Sequence, residues 1–382
     1  MDRAPESWPF LQFLLFFPIL VIINFILKDA KSTKTALVII IIVLLICSLA
    51  IILFPRRILI PVFYPCLLIV SFGIARSFIE WINSRRLATE TQNAFSHFIS
   101  ADVVNQIINN PNAIRPGGEK KELTIMFTDI AGFTSISEKL DADALTELMN
   151  SYLDEMTKIL FKHGGTLDKY IGDAIMGFWN HPTTQEDHAT RAVTCAIEMQ
   201  KKLKEMRENW MAKGLPKVEM RAGINSGTSM VGFIGSKIQM NFTCLGDNVN
   251  LASRLEGANK AYGTFIMISE SVKKQLNPYL FSIRFLDFLA VKGKNEPVLV
   301  YEVRGWLNEE NEVWKEKAGK IYQQGIDKYL AREWENAISL FNEVLKLVPD
   351  DAPSKVYIDR CEHFKLSPPE DNWDGRFVLK TK

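Results

Sequence analysis

The sequence predicts an α+β protein whose central part is a ferredoxin-like βαββαβ sheet domain. From residue 119 onward, short β-rich runs alternate with amphipathic helical runs, which is the pattern of such a domain. Two of the β-rich runs meet at a Gly-Asp pair, which is a hairpin signal. Three uncharged apolar segments before residue 76 predict membrane helices ahead of this domain, and a helical region follows it.

The composition narrows the class of protein. The 382 residues include 45 Lys+Arg and 44 Asp+Glu, so the net charge is +1 and no nucleic-acid partner is expected. Five cysteines form no C-x-x-C pair, which argues against a disulfide framework and a structural zinc site. A hydrophobic content of 47% excludes disorder over most of the chain.

Residues 1–75 are predicted to form three transmembrane helices, at about 10–27, 36–54 and 58–75. Each segment lacks charged residues and reaches the roughly 17 to 25 residues that cross a bilayer. Buried core helices or a cleaved signal sequence are the alternatives, but three such segments in a row are hard to bury in a soluble protein. The chain is therefore predicted to be a multi-pass protein of the cell (inner) membrane.

The cationic residues between the apolar segments predict the orientation. With the C-terminus inside, most of them lie on the cytoplasmic side, in agreement with the positive-inside rule. The N-terminus is then outside and everything after the third segment is cytoplasmic. The cytoplasmic cations are Lys28, Lys31, Lys34, Arg76, Arg85 and Arg86, whereas Arg3, Arg56 and Arg57 lie outside.

Residues 76–118 are predicted to form a helical linker, and residues 119–304 a domain with its helices on one face of the sheet. Prolines and glycines at the end of the linker mark the boundary. The predicted strands are 122–128, 166–171, 174–178, 218–225, 264–268 and 298–303, and the predicted helices are 142–162, 189–210 and 247–261.

Residues 305–365 are predicted to be helical. Gly325, Ala337, Phe341 and Pro349 fall at the offsets of a tetratricopeptide unit, in which small residues let two helices cross closely. An ordinary helical hairpin is the alternative. We expect the helices to dock on the preceding domain or on a partner protein, and the tail, 366–382, to be loosely ordered.

Asp129 and Asp173 each follow a predicted strand and can meet at one edge of the sheet. Two carboxylates that close repel each other unless a divalent cation lies between them, and oxygen ligands favour Mg²⁺ or Mn²⁺. Either aspartate alone would be read as a turn residue. The small-residue turn Ala131–Thr134 favours the metal site, because a turn that opens a helix presents backbone N–H groups to an anion such as a triphosphate.

Four blocks carry a resemblance to a known family. They are FTDIAGFT (127–134), DKYIGD (168–173), INSG (224–227) and LGDNVNLASRLE (245–256). In this order they resemble the class III adenylyl and guanylyl cyclases, and the match covers about residues 119–303. The resemblance implies that Asp129, Asp173 and the backbone carbonyl of Ile130 hold two divalent metal ions. It also implies that Gly132, Phe133 and Thr134 lie at the triphosphate.

Two positions bear on the choice of base. Lys169 is similar to a lysine that donates to adenine in adenylyl cyclases, where guanylyl cyclases carry glutamate. Adenine N1 is an acceptor and guanine N1 bears a hydrogen, so an obligate donor suits adenine. Thr243 stands where many members have aspartate. Threonine can accept or donate and so weakens discrimination, although bacterial-type members that resemble bicarbonate-responsive cyclases also carry it.

Asn250 and Arg254 are four residues apart and therefore share one face of a helix. The resemblance implies that they orient the ribose and stabilise the transition-state phosphate, where a guanidinium fork suits the developing charge. Lys292 resembles a lysine that contacts the terminal phosphates. Arg221 is interpreted as structural.

These features predict a membrane-bound adenylyl cyclase that converts ATP to 3′,5′-cyclic AMP and pyrophosphate. In the family the metal aspartates come from one subunit and the base-reading and transition-state residues from the other, which implies a homodimer. A guanylyl cyclase is disfavoured by Lys169, and a diguanylate cyclase by the absence of its G-G-D/E-E-F turn. A catalytically silent membrane scaffold is the remaining alternative, against which the complete residue set argues.

Overall fold

A computed structural model of the chain describes residues 32–53, 63–96, 117–236, 238–289, 297–310 and 313–370, together with residues 373 and 375. The chain divides into two compact units, Met1–Phe98 and Ile99–Lys382.

The first unit contains helices α1 (Ser32–Leu53) and α2 (Phe63–Ser96). Within the described ranges, one segment is long and apolar enough to cross a membrane, Cys66–Leu87 in α2, and α1 has a shorter apolar stretch, Leu37–Leu49. The structure therefore does not support three membrane helices, and the first predicted span, 10–27, lies outside the described residues.

The third predicted span is also displaced towards the C-terminus. The sequence analysis ended it before the first charge, Arg76, whereas α2 continues through this position without a break. Arg76 pairs with Glu80 one turn later, at 3.0 Å between Nε and Oε1, so the helix carries its charges as an ion pair. The predicted helical linker is helical from Arg76 to Ser96, but its last two residues, Gly117 and Gly118, belong to the first strand of the second unit.

The second unit is built on an eight-stranded mixed sheet. Its strand order is β2-β3-β1-β4-β6-β8-β7, with β5 paired to β4. The strands are β1 (Gly117–Ile130), β2 (Thr166–Ile171), β3 (Ala174–Trp179), β4 (Met220–Gly235), β5 (Met240–Leu245), β6 (Ile266–Ser269), β7 (Phe281–Leu289) and β8 (Val298–Trp306). The helices among them are α3 (Phe133–Ser137), α4 (Ala142–Lys162), α5 (His188–Ala212), α6 (Asp247–Tyr262) and α7 (Glu270–Lys273).

The predicted βαββαβ order is confirmed in β1, α4, β2, β3, α5 and β4. These four strands lie side by side in the order β4-β1-β3-β2, and each neighbouring pair is antiparallel, which is the ferredoxin-like arrangement. Helix α4 has the predicted bounds because Asp141 caps it, accepting a hydrogen bond from the backbone N–H of Ala144 at 2.8 Å.

Two strands, β5 and β7, are not predicted from the sequence, and β4 runs ten residues beyond its predicted end at residue 225. The run NSGTSM after Ile224 has only one strand-favouring residue, Thr228, but β4 continues through it because it pairs with the whole of β1, from Gly117 to Ile130. Strand β7 contains Arg284 and Asp287, which are both buried. Two charged residues in a short run are not typical of a buried strand, so the sequence alone does not indicate this one.

The prediction that the helices cover one face of the sheet is wrong. On one face Met126 and Ile224 join the core formed with α4 and α5. On the other, Ile125 packs in a cluster with Ala252 of α6. Successive strand residues point to opposite faces, so both faces of these central strands are apolar and both need a cover. Gly223 allows the close approach of α6, because a Cβ there would lie 2.1 Å from the backbone N of Glu256.

Three helices and a π-helical turn, Trp314–Ala318, follow the sheet: α8 (Gly319–Leu330), α9 (Trp334–Leu347) and α10 (Ala352–Leu366). Helix therefore begins later than predicted, since β8 runs to Trp306. A Cβ on Gly325 would lie 2.8 Å from the Phe341 ring, so the predicted close crossing of two helices is present. The tetratricopeptide assignment stays a prediction. Trp373 packs on Tyr329 at 5.3 Å between ring centroids, so this part of the tail is docked rather than loose.

Helix α10 docks on the sheet domain through buried charges. Arg360 donates to Asp287 of β7 at 2.5 Å and to the Tyr262 hydroxyl, at the end of α6, at 2.9 Å. Arg284 of β7 donates to Asp351, the N-cap of α10, at 2.6 Å. The C-terminal helices and the sheet domain therefore share an interior.

Candidate active site

The structure brings Asp129 and Asp173 together, as predicted. Asp129 lies at the end of β1, and Asp173 lies in the two-residue turn between β2 and β3. Gly172 precedes it with φ 66°, the left-handed conformation that a tight hairpin turn needs. The backbone N–H of Ile130 donates to Asp173 Oδ2 at 3.0 Å, which ties the hairpin to the end of β1.

The carboxyl groups here carry an excess of negative charge. Burial, the adjoining Asp173 carboxyl and the Glu256 charge, in that order of importance, together raise the pKa of Asp129 to about 7, while the Arg221 charge opposes them. Burial also raises the pKa of Glu256 above its usual value, opposed by the Arg221 charge and reinforced by Asp173. The negative charge of these carboxyl groups is therefore only partly offset by Arg221.

This cluster fits a hard divalent cation. The described parts of the chain contain no group of three or more His, Cys, Asp and Glu side chains that could hold a metal. A metal at Asp129 and Asp173 would therefore take two carboxylates and complete its shell with backbone, water or substrate oxygens, as Mg²⁺ commonly does. The Ile130 carbonyl as a ligand stays a prediction.

The turn after β1 has the expected open form. Gly132 is the N-cap of the short helix α3, with φ 72° and no side-chain cap, and a Cβ there would meet nothing within 4 Å. Phe133 packs against the main core, and Thr134 is exposed. The turn follows Ile130 directly, which places it beside the two aspartates.

Lys169 and Thr243 also meet, although 74 residues separate them. Lys169 on β2 donates from Nζ to Thr243 Oγ1 on β5 at 3.2 Å. Asp168, which the sequence analysis did not single out, lies beneath both. Its Oδ2 accepts from the Thr243 hydroxyl at 2.7 Å and from the Cys244 N–H at 3.2 Å. The available signal was its position next to Lys169 in the same sequence block.

Helix α6 has the two faces that the sequence predicts. Asn250 and Arg254 are exposed, whereas Leu251 and Leu255 are buried. Asn248 holds the start of the helix to β4, since its Nδ2 donates to the Thr228 carbonyl at 2.9 Å. Asn225 of β4 donates in turn to the Asn248 carbonyl at 3.0 Å. Two of the four sequence blocks therefore contact each other.

For three further residues, the structure leaves the sequence-based interpretation untested or changes it. Lys292 lies outside the described residues, so its role stays a prediction. Arg221 was interpreted as structural, but it pairs with Asp129 in the β1–β4 register and its charge lowers the pKa of Asp129. Glu256, which the sequence analysis missed as a site residue, belongs to the same electrostatic cluster. Its signal was its place at the end of the last sequence block.

The sequence model of the adenylate and guanylate cyclase catalytic domain matches residues 117–305. A terminal-differentiation-specific adenylate cyclase of Dictyostelium discoideum is 37% identical over 243 residues, 63% of this chain and 11% of that protein. An adenylate cyclase of Anabaena cylindrica is 40% identical over 187 residues, 48% of this chain and 37% of that protein.

A solved structure of a bacterial light-regulated adenylyl cyclase is 27% identical, with a TM-score of 0.51, and the match covers 59% of this chain and 65% of that one. The chain thus spans only a part of each of the two curated relatives. The matched region coincides with the sheet domain that carries the two aspartates, Lys169, Thr243 and α6. Over residues 117–305 this chain therefore belongs to the adenylate and guanylate cyclase catalytic domain family.

Proposed function

We propose that the protein is a membrane-bound adenylyl cyclase that converts ATP to 3′,5′-cyclic AMP and pyrophosphate. The observation that carries the choice of nucleotide is the contact between Lys169 and Thr243. It joins an ammonium donor and a hydroxyl on one edge of the domain, and an ammonium matches the acceptor N1 of adenine. The adenylate cyclase relatives support the same choice.

Each side chain has a proposed role in the reaction. Asp129 and Asp173, with the Ile130 carbonyl, would hold two divalent ions, Mg²⁺ or Mn²⁺. Such ions lower the pKa of the ribose 3′-hydroxyl and offset charge on the phosphates. Asn250 orients the ribose for in-line attack on the α-phosphate, and the Arg254 guanidinium stabilises the charge that develops there.

The proposed active unit is a homodimer. Asn250 and Arg254 lie on the exposed face of α6, and one chain contains both the metal-binding set and the transition-state set. Two equivalent sites, each with aspartates from one chain and Arg254 from the other, would use every one of these residues. This arrangement also accounts for the exposure of a polar helix face in the chain taken alone.

The remaining proposals concern placement in the cell. We propose that apolar helices ahead of the sheet domain anchor the protein in the cell membrane, with the N-terminus outside and the catalytic domain in the cytoplasm. The candidate span Cys66–Leu87 and the shorter apolar stretch Leu37–Leu49 support this. The tetratricopeptide-like helices would offer a surface to a partner protein. Trypsin digestion of sealed vesicles tests the orientation, because an external catalytic domain would be cleaved without detergent.

The function is tested on the full-length protein in detergent, with kcat/KM measured for ATP and GTP. The wild type should prefer ATP. Lys169→Glu should lower ATP turnover more than GTP turnover, since glutamate accepts from guanine N1–H and repels the lone pair of adenine N1. The expected change in selectivity is about tenfold to hundredfold. Thr243→Ala should have a milder effect.

Lys204→Glu is the matched control, because it reverses the charge of an exposed lysine on α5. It should leave the preference unchanged. A wild type that prefers GTP would identify a guanylyl cyclase, and a folded protein that turns over neither nucleotide would identify a silent scaffold. Unchanged ATP preference in Lys169→Glu would show that the base is selected elsewhere.

A further inference from the structure

The contact between Thr243 and Asp168 settles which way the threonine hydroxyl points. The side chain of Asp168 has no solvent exposure, and its Oδ2 lies 2.7 Å from Thr243 Oγ1. A carboxylate has only acceptor sites, so the proton in this hydrogen bond belongs to the threonine. Thr243 therefore donates inward, towards the interior of the domain.

The carboxylate is held in place from three directions. Besides the threonine hydroxyl, Asp168 Oδ2 accepts from the backbone N–H of Cys244 at 3.2 Å. Oδ1 forms an ion pair with Lys169 Nζ at 3.0 Å. The backbone of Thr243 is fixed by the pairing of β5 with β4, opposite Gly232. Turning the hydroxyl outward would leave a buried carboxylate oxygen without this donor, which is unfavourable.

With its proton committed inward, Thr243 Oγ1 offers only lone pairs to its other neighbours. The Lys169 ammonium already uses one of them at 3.2 Å. The pair therefore presents one obligate donor, Lys169, beside one obligate acceptor, Thr243. Adenine offers the complementary pattern, an acceptor at N1 and an amino donor at N6, whereas guanine offers a donor at N1 and an acceptor at O6.

We propose that Asp168 is a positioning residue that makes Thr243 an obligate acceptor and thereby sets the selectivity for a 6-amino purine. The inference rests on the proposed function and deepens it. It also replaces the expectation, drawn from the sequence, that the threonine adapts to either base. Asp168 acts through the orientation of a hydroxyl and does not touch the nucleotide.

The principal test is Asp168→Ala, which removes the acceptor of the Thr243 proton. Asparagine would not do so, because the Cys244 N–H would keep its amide oxygen at the same position, beside Thr243. Without the carboxylate, the hydroxyl is free to point outward. The ratio of kcat/KM for ATP to that for GTP should fall by about tenfold to hundredfold. A structural role alone would lower both kcat/KM values by the same factor and leave the ratio unchanged, which would overturn the proposal.

A double-variant cycle separates Thr243 from Lys169 as the route of the effect. In a Thr243→Ala background, Asp168→Ala should change the ratio little further, because the hydroxyl that Asp168 orients is gone. A fall in the ratio of the same size in that background would mean that Asp168 acts through Lys169, and the proposal would be wrong. A wild type that turns over neither nucleotide would instead refute the proposed function.

A second measurement remains if Asp168→Ala does not fold. Purine riboside triphosphate lacks the 6-amino group that Thr243 is proposed to accept from. The wild type should use it about tenfold to hundredfold less efficiently than ATP, and Thr243→Ala should remove most of that difference. Equal use of ATP and this analogue by the wild type would overturn the proposal.

Discussion

Two regions of the molecule bury carboxyl groups, and they differ in how far the negative charge is neutralised. At the dock of α10 each carboxylate has an arginine: Arg284 lies 2.5 Å from Glu302 and 2.6 Å from Asp351, and Arg360 lies 2.5 Å from Asp287. At the end of β1 the Asp129 and Asp173 carboxyls adjoin each other instead.

The difference shows in the ionisation of the groups. Burial alone would lower the pKa of Arg284, but the Glu302 and Asp351 carboxylates and Tyr322 together more than offset this, and the pKa is raised above its usual value. For Asp129, burial and the neighbouring carboxyls act in the same direction and raise the pKa to about 7. Paired charges hold the C-terminal helices on the domain, whereas the carboxyl cluster, which Arg221 offsets only in part, is unfavourable for the fold and suited to bind cations.

The largest expected effect is on catalysis. Asp129→Ala and Asp173→Ala should each lower kcat by about a thousandfold or more, because hydroxyl activation and charge neutralisation are lost together. Asp129→Ala should melt no lower than the wild type, because it relieves the repulsion between the carboxyls, whereas Asp173→Ala should lose about 1 kcal/mol of stability with its hydrogen bond from the Ile130 N–H. Asp154→Ala, at an exposed aspartate of α4, is the control. Near-normal turnover in a folded Asp173→Ala variant would refute the metal assignment.

Removing a charge from the buried ion pairs of α10 should instead lower the stability of the fold. Arg360→Met should lower the free energy of unfolding by about 3–5 kcal/mol, because it leaves Asp287 buried without its cation. Combining it with Asp287→Leu should restore part of the loss, since both charges are then gone. Urea unfolding followed by tryptophan fluorescence measures both. A double variant no more stable than Arg360→Met alone would show that the pairing of charges is not what matters at this dock.

Mixing two inactive variants tests whether Arg254 of one chain completes the site that contains Asp129 of the other chain. If Asp129 and Arg254 serve one site from opposite chains, mixing Asp129→Ala with Arg254→Ala rebuilds one intact site in each mixed dimer. Activity should return to about a quarter of the wild-type value, because half of the dimers are mixed and each has one working site. Mixtures that stay inactive after verified subunit exchange would count against shared sites.

The smallest expected effect is on the pH dependence of stability in the metal-free protein. Asp129 has a folded-state pKa of about 7, above the usual value of 3.8. Its contribution to stability is therefore fully present below about pH 4 and is lost as the pH rises through about 7. Between about pH 5 and about pH 8, the melting temperature of the wild type should fall more than that of Asp129→Asn. Added Mn²⁺ at the higher pH should restore the wild type alone, and an equal response of both proteins would contradict the electrostatic account.

Local patterns in the sequence were sufficient for much of the domain. The apolar periodicity of α4 and α6 and the Gly-Asp turn predict elements that the structure contains, because each depends on residues within a few positions of one another. The same holds for the meeting of Asp129 and Asp173, since both follow strands that pair in the predicted fold. The faces of α6 follow from spacing alone.

What the tertiary structure decided involves partners far apart in the chain. Arg284 and Asp287 look like surface residues until Asp351 and Arg360, 67 and 73 residues away respectively, neutralise them, and for that reason β7 was missed. The same reason applies to Thr243. Its hydroxyl can donate or accept in principle, and only the buried carboxylate of Asp168, 75 residues earlier, determines that it donates inward. Spacing along a sequence identifies the chemical groups, but the direction of a proton depends on the partner that folding places beside it.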